Sequence, residues 1–197
     1  MPVVFLVRHG ETDFNVAHRL QGHYQTSINA RGREQARHCA GLLRDLFERE
    51  QRRPDDYAYV SSPLRRACET MELIRTALGL APTAFALDDR LMEIAYGEWE
   101  GLNLPEIQAR YPSVLAERER DKWDFAPPGG ESYRRVAQRV GEWYAALVRD
   151  TVATAHGGVV RAMMANMQIL PEDAATHADI RHGMVYVFDG GTVTRYA

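Results

Sequence analysis

The sequence has few of the features that would mark a secreted or membrane protein. Its 197 residues include only two cysteines, Cys39 and Cys68, too few for a scaffold stapled by disulfides. No stretch approaches the roughly 20 apolar residues that a membrane-spanning helix needs. The apolar run at 3–7 is too short for a signal peptide and has no basic leader. These absences predict a cytoplasmic protein without a membrane partner.

An excess of charge of one sign is also missing. The chain carries 24 basic and 27 acidic side chains, for a net charge of −3, and the two signs are mixed along it. A nucleic-acid binder would show a basic patch or stripe instead. Metal-binding patterns such as His-Glu-x-x-His or Cys-x-x-Cys are absent as well. We therefore expect no nucleic-acid partner, no required metal and no cofactor.

Short apolar runs alternate with helical patterns along the chain. Buried strands are predicted at 3–7, 57–61 and 151–155, helices follow each of them, and turn residues at 189–191 predict a final hairpin. This order predicts an α/β fold, a three-layer α/β/α sandwich with a mostly parallel central sheet and a C-terminal antiparallel hairpin strand. No repeat or linker divides the chain, so we expect one domain over 1–197. A largely helical insertion at about 88–130 would cover the active site.

Two histidines come directly after predicted strands. His9 follows the first strand and His156 follows the strand at 151–155, and each is followed by glycine. Ligands of open α/β sheets bind beyond the carboxyl ends of strands, and glycine lets the backbone approach them closely. One such histidine is more often structural than catalytic, but two in the same setting predict a shared site.

Arginines add positive charge near this edge of the sheet. If Ser62 caps the next helix, Arg65 is its third residue, where a cation opposes the helix dipole by up to ~1 kcal/mol. A bound anion would turn this penalty into an advantage. The alternative is that Arg65 points into solvent, as we expect for Arg66. Arg8, beside His9, adds a planar guanidinium that suits phosphate oxygens.

The motifs around these residues resemble those of the histidine phosphatase superfamily, also called phosphoglycerate mutase-like. They occur in the family's order and span nearly the whole chain. The matching stretches are Arg8-His9-Gly10-Glu11-Thr12, Gln21-Gly22, Ser61-Ser62-Pro63-Leu64-Arg65-Arg66-Ala67, Glu93, Trp99-Glu100-Gly101, Pro128-Gly129-Gly130-Glu131-Ser132 and Ala155-His156-Gly157-Gly158.

The resemblance implies a role for each matched residue. His9 corresponds to the histidine that becomes phosphorylated, and Glu93 to the proton donor for the leaving oxygen. Arg8, Arg65 and a protonated His156 would surround the transferred phosphoryl group without a metal. Further substrate or phosphate contacts are implied for Asn15, Gln21, Gly22 and Gly157. The chemistry is consistent, since a neutral imidazole is nucleophilic near pH 7 and fixed cations stabilise the equatorial oxygens.

The resemblance leaves more than one activity open. Leu104 follows Gly101-Leu102-Asn103, where the glycolytic cofactor-dependent phosphoglycerate mutases carry lysine, and no adjacent arginine pair occurs between 104 and 130. This favours a phosphomonoester hydrolase of the short branch, similar to α-ribazole phosphatase and the broad-specificity phosphatases, over a mutase. A non-catalytic phosphate-binding module is a second alternative, disfavoured because the whole catalytic set is present. We expect a small phosphorylated metabolite as substrate, and both a monomer and a homodimer are open.

Overall fold

The computed structural model describes residues 2–197, which form one six-stranded sheet with helices on both faces. The strands are β1 (Val4–Arg8), β2 (Ala58–Ser61), β3 (Ala86–Leu87), β4 (Thr151–Ala155), β5 (Val185–Asp189) and β6 (Thr192–Tyr196). The helices are α1 (Asp13–Val16), α2 (Ala30–Arg49), α3 (Arg65–Ala77), α4 (Leu104–Arg110), α5 (Pro112–Arg120), α6 (Tyr133–Ala145), α7 (Gly157–Asn166) and α8 (Glu172–His177).

The strand order is β3-β2-β4-β1-β5-β6. The first four strands in this order pair in parallel, whereas β5 runs antiparallel to both β1 and β6. The fold class predicted from the sequence is therefore confirmed. Parallel pairing of β1 with β4 also brings their carboxyl ends, and the residues that follow them, to the same edge of the sheet.

Alternating side chains of β1 show how the three layers are held together. Val4 and Leu6 point to the face covered by α6 and α7, while Phe5 and Val7 point to the face covered by α2 and α3. All four side chains are buried. A continuous apolar strand of this kind suits a sheet that is covered on both sides, since each face must bury its own set of side chains.

The start of α3 differs from the prediction. We expected Ser62 to cap this helix, but α3 begins at Arg65 after Leu64, which makes no capping hydrogen bond with its side chain. The Ser62 hydroxyl bonds instead to Nε2 of His156 (2.8 Å) and accepts from the Leu64 amide (3.3 Å). The dipole argument for Arg65 therefore rested on a helix start two residues too early.

The segment at 88–130 contains two short helices and packs around its own apolar cluster. Buried Trp99, Ile107 and Leu115 form that cluster. Arg19 fastens the segment to the loop after β1, because it pairs with both carboxylate oxygens of Glu106 at 2.7 and 3.0 Å. Across residues 2–197, no helix combines the length and apolar character that crossing a bilayer requires.

Candidate active site

A cavity of about 110 Å³ opens at the carboxyl ends of β1 and β4. Two backbone bonds set its floor: the His9 amide donates to Ala155 O and the Ser62 amide donates to Thr154 O, both at 2.9 Å. The cavity is lined by Arg8, His9, Asn15, Arg19, Leu20, Gln21, Gly22, Arg66, Glu93, Tyr96, Gly157 and Arg161. Seven of the nine site residues predicted from the sequence lie in this lining; the other two, His156 and Arg65, are described below.

The His9 ring is buried and held in one orientation. Its Nδ1 lies 2.8 Å from the carbonyl oxygen of Gly10, which can only accept, so Nδ1 carries the proton and Nε2 keeps a free lone pair. Burial, reinforced by the nearby charges of Arg66 and Arg8, holds the pKa of His9 well below its usual range. The imidazole is therefore neutral at pH 7, the state that a nucleophile needs.

His156 packs beside His9, with ring centroids 5.1 Å apart. It lies next to the cavity and is fully buried. The Ser62 hydroxyl can donate to Nε2 of His156, which places the ring proton on Nδ1, a buried atom without a protein partner. Burial and the charge of Arg66 lower the pKa of His156 well below its usual range, which favours a neutral ring in the free protein over the protonated His156 expected from the sequence. A neutral ring still offers one N–H donor to a phosphoryl oxygen.

Arg8 and Arg66 supply fixed positive charge at the cavity. Arg66 donates to the carbonyl oxygens of Gly22 and Tyr24, both at 2.8 Å, and Arg8 donates to that of Ile180. Nε of each arginine is buried without a protein partner, and neither forms an ion pair within 4 Å in the described part of the chain. Burial lowers the pKa of Arg66 to about 10, so both guanidiniums stay charged at pH 7. Unpaired buried cations of this kind fit an anion.

Arg65 does not belong to this group of cations. Its side chain is 66% exposed and pairs with Glu69 one turn further along α3, at 2.8 Å. Arg66, which we expected in solvent, is fully buried and takes the place predicted for Arg65. The physical reason is helical spacing, because the buried face of α3 carries Arg66, Thr70 and Ile74 at intervals of four residues.

Glu93 lines the cavity from the loop that precedes α4. Its Oε1 accepts from the Gly158 amide in the first turn of α7 (2.9 Å) and from the Ile94 amide (3.0 Å). Both bonds occupy Oε1, so Oε2 is the oxygen that can exchange a proton with a substrate. Glu131 and Arg139 pair at 3.0 Å beneath the loop, and Arg139 also donates to the Glu93 carbonyl.

The remaining predicted contacts lie on the loop after β1. Gln21 accepts from Thr12 at 3.0 Å, and Asn15 accepts from the same hydroxyl at 2.9 Å. Gly22 has φ +48, and a Cβ there would lie 1.9 Å from Oε1 of Glu100. Glycine suits this turn, because it adopts the positive φ readily and because a Cβ would have to displace the Glu100 carboxylate, which accepts from the His23 and Tyr96 amides.

The structure also brings in residues that the sequence analysis missed. Arg66, Arg19 and Arg161 line the cavity. His182 lies behind His9, with ring centroids 5.4 Å apart and its Nδ1 2.7 Å from the His9 carbonyl oxygen. A sequence signal existed only for Arg66, through its place on the apolar face of α3. Nothing local marks the others, which reach the cavity through tertiary packing.

Larger grooves lie elsewhere on the described surface. A larger groove of about 540 Å³ beside Gly190 and Gly191 contains no histidine, carboxylate or cationic side chain, so it offers no catalytic group. Within residues 2–197, no cluster of three or more histidine, cysteine or acidic side chains is arranged to hold a metal ion. The cavity at His9 is therefore the candidate active site.

Comparison with known families identifies the class of this protein. The family model described as the histidine phosphatase superfamily (branch 1) matches residues 4–193. That match spans almost the whole chain. The chain belongs to the histidine phosphatase superfamily, as the sequence motifs predicted.

Individual relatives include both hydrolases and mutases. The glucosyl-3-phosphoglycerate phosphatase of Mycobacterium tuberculosis is 37% identical over 180 residues, covering 84% of this chain and 75% of that protein. The 2,3-bisphosphoglycerate-dependent phosphoglycerate mutase of Cytophaga hutchinsonii is 29% identical and covers 96% of this chain and 88% of the mutase.

Solved structures show the same fold. A mycobacterial glucosyl-3-phosphoglycerate phosphatase in complex with VO3 has a TM-score of 0.80 at 31% identity, covering 100% of this chain and 96% of that one. The α-ribazole phosphatase of Shigella flexneri has a TM-score of 0.81 at 25% identity, with 98% and 93% covered.

Proposed function

We propose that this protein is a metal-independent phosphomonoester hydrolase that works through a phosphohistidine on His9. The observation that carries the proposal is the setting of the His9 ring. Its Nε2 is free and its ring is neutral, and it lies beside two buried arginines without carboxylate partners. A nucleophile and preorganised cations are what phosphoryl transfer needs.

In the first step, Nε2 of His9 attacks phosphorus and the ester oxygen leaves. Negative charge on the equatorial oxygens is stabilised by Arg8, Arg66 and the Nδ1–H of His156. Nε of each arginine and Nδ1 of His156 are buried and have no protein partner in the described chain. These donors are held by the fold before substrate arrives, so little reorganisation is needed during the reaction. Arg66 takes here the role first predicted for Arg65.

Glu93 is proposed to move the proton. An alkoxide is a poor leaving group at neutral pH, so a carboxylic acid at the ester oxygen accelerates its departure. The same carboxylate can then take a proton from water as it attacks the phosphohistidine, which regenerates neutral His9 and releases phosphate. Oε1 of Glu93 is anchored by the Gly158 amide, which leaves Oε2 for both transfers.

Hydrolysis is favoured over mutase activity by the relatives and by the sequence. The phosphatase relative is 37% identical, against 29% for the mutase described above. Leu104, exposed at the start of α4, stands where a mutase-type lysine is expected from the family resemblance. We infer a small phosphorylated metabolite as substrate. The free thiols Cys39 and Cys68 are consistent with the reducing cytoplasm, which we propose as the location.

The test is phosphate release from p-nitrophenyl phosphate in the presence of a chelator. We expect turnover in the wild type and its loss in His9→Ala, with His38→Ala, an exposed histidine on α2, as the matched control. Activity that survives in His9→Ala contradicts the nucleophile, and activity that the chelator abolishes contradicts metal independence. Incubation with 3-phosphoglycerate and 2,3-bisphosphoglycerate separates the two classes, because efficient 2-phosphoglycerate formation with little free phosphate would show a mutase.

A further inference from the structure

One cation of the cavity has neither a role in the mechanism above nor, in the described residues, an ion pair within 4 Å. Arg161 lies on α7, five residues after His156, and its side chain lines the same cavity as His9. Its Nε donates to the carbonyl oxygen of Ala178 at 3.0 Å. In the described residues it forms no ion pair within 4 Å, although Glu93 is near enough to favour its charge.

The Arg161 side chain lies beside Gly157 and near Arg8 in the cavity. A Cβ added to Gly157 would lie 3.2 Å from Nη1 of Arg161 and 3.8 Å from Cζ of Arg8. Both guanidiniums therefore reach the same side of the Gly157 backbone. Since Gly157 and Arg161 are four residues apart on one helix, they share the face of α7 that looks into the cavity.

Arg161 also lies on the leaving-group side. The neighbouring Gly158 amide holds Glu93, the proposed proton donor to the leaving oxygen, at 2.9 Å. Glu93 marks where the ester oxygen sits during the first step. A guanidinium on the next turn of α7, in the same cavity as Glu93, therefore faces the part of the substrate that departs.

Two more cations, Lys122 and Arg118, lie near Arg161. Lys122 donates from Nζ to the carbonyl oxygen of Thr176 at 3.0 Å and forms no ion pair within 4 Å in residues 2–197. Burial lowers the pKa of Lys122 to about 8, and the charges of Arg118 and Arg161 add to the effect. The Arg118 side chain is 15% exposed and pairs only with Glu119, which is largely exposed. Three like charges grouped this closely oppose folding, and a bound anion would relieve the repulsion.

We propose that Arg161, supported by Arg118 and Lys122, binds a second anionic group of the substrate. The substrate is then a phosphomonoester whose leaving group itself carries a carboxylate or a second phosphate. This inference rests on the proposed hydrolase function and narrows its substrate class. Guanidinium suits either anion, since its planar fork matches both carboxylate and phosphate oxygens.

Matched substrate pairs test the proposal. The first pair is 3-phosphoglycerate and glycerol 3-phosphate, which differ by a carboxylate in place of a hydroxymethyl group. The second is fructose 1,6-bisphosphate and fructose 6-phosphate, which differ by one phosphate. We expect the wild type to favour the doubly anionic member of at least one pair by about tenfold or more in kcat/KM, the value of one charged hydrogen bond.

Variants assign that preference to the side chain. Arg161→Met should reduce the preference to within about threefold, and Arg161→Lys should retain part of it because the charge remains. Arg135→Met, an exposed arginine on α6 outside the cavity, is the matched control and should keep the wild-type ratio. The pair that responds distinguishes a carboxylate from a second phosphate.

The outcomes separate this inference from the proposed function. If the wild type hydrolyses none of the four esters nor p-nitrophenyl phosphate, the hydrolase function fails. Hydrolysis without a preference in either pair overturns the second-anion subsite alone. A preference that survives in Arg161→Met, or an equal loss for both members of each pair, also overturns it and places Arg161 at the transferred phosphate or at Glu93.

Discussion

Two adjacent arginines on α3 provide a controlled perturbation of the site. Arg66 is fully buried at the cavity, whereas Arg65 is 66% exposed and pairs with Glu69 at the surface. Replacing each by methionine removes the same charge and nearly the same length of side chain. Arg66→Met removes a guanidinium from the cavity together with its bonds to the Gly22 and Tyr24 carbonyl oxygens, whereas Arg65→Met removes one from the surface.

The expected losses differ by more than an order of magnitude. Removing one preorganised donor to a developing oxyanion typically costs about 3–4 kcal/mol, or 10²–10³ in rate, and we expect this for Arg66→Met. Arg65→Met breaks only an exposed pair with Glu69, worth about 0.3–0.5 kcal/mol. Its kcat should therefore remain within about twofold of the wild type.

Arg66→Met has a second signature in its pH profile. Arg66 helps to hold the pKa of His9 below its usual range, so its removal should raise that pKa. A higher pKa means that His9 becomes protonated, and loses its nucleophilic lone pair, at a higher pH. The acid limb of kcat/KM should therefore move to higher pH in Arg66→Met and stay in place in Arg65→Met.

The assay is steady-state hydrolysis of one aryl phosphate by both variants between pH 5 and pH 8, with folding checked by circular dichroism. Equal losses in the two variants would refute the assignment of Arg66 to the site. The same conclusion follows if Arg66→Met keeps kcat within about threefold of the wild type, or if its acid limb moves to lower pH.

Three further predictions concern the proton donor, the turn and the stability. Glu93→Gln should slow hydrolysis of alkyl phosphates at least about tenfold more than that of p-nitrophenyl phosphate, whose phenolate leaves without a proton; equal slowing in a side-by-side rate comparison would contradict the role. Gly22→Ala should abolish activity and lower the thermal midpoint, whereas Gly190→Ala, with φ +52 but open space for a Cβ, should cost only about 1 kcal/mol and leave activity intact. Because His9 and His156 stay neutral in the native state but bind protons when unfolded, stability should fall below pH 6.5, by up to about 1.4 kcal/mol per histidine and pH unit. Urea unfolding at several pH values measures the free energy of unfolding. A His9→Gln/His156→Gln variant should lose less of it between pH 6.5 and pH 5 than the wild type.

The fold was largely predictable because its signals are local. Val3 to Val7 and Thr151 to Ala155 are apolar runs of strand length, and the structure has strands at Val4–Arg8 and Thr151–Ala155. The short helix Glu172–His177 was not predicted, since its six residues carry no clear periodicity. Its place is set by packing against α7.

The site was predictable where residues follow strands and less so where they lie on helices. The carboxyl ends of parallel strands lie at the same edge of a sheet. His9 and His156, which each follow such a strand, could therefore be placed together from the order of the strands. On α3 the helix start decided the outcome. A helix capped by Ser62 predicts Arg65 as the arginine of the site. The spacing of the buried residues Thr70 and Ile74 instead places Arg66 on the face that points inward. Arg161 could be assigned to the site only from the structure, because nothing in the neighbouring sequence distinguishes it from a solvent-facing arginine.

The phosphohistidine is the central claim, and trapping it is the most direct measurement. Enzyme mixed with an aryl phosphate is quenched in alkali within one turnover, digested, and mapped by mass spectrometry for the added phosphoryl group. The account predicts a single phosphorylated residue, His9, and no label in His9→Ala. Label on a different residue, or turnover with no covalent phosphate under single-turnover conditions, would contradict it.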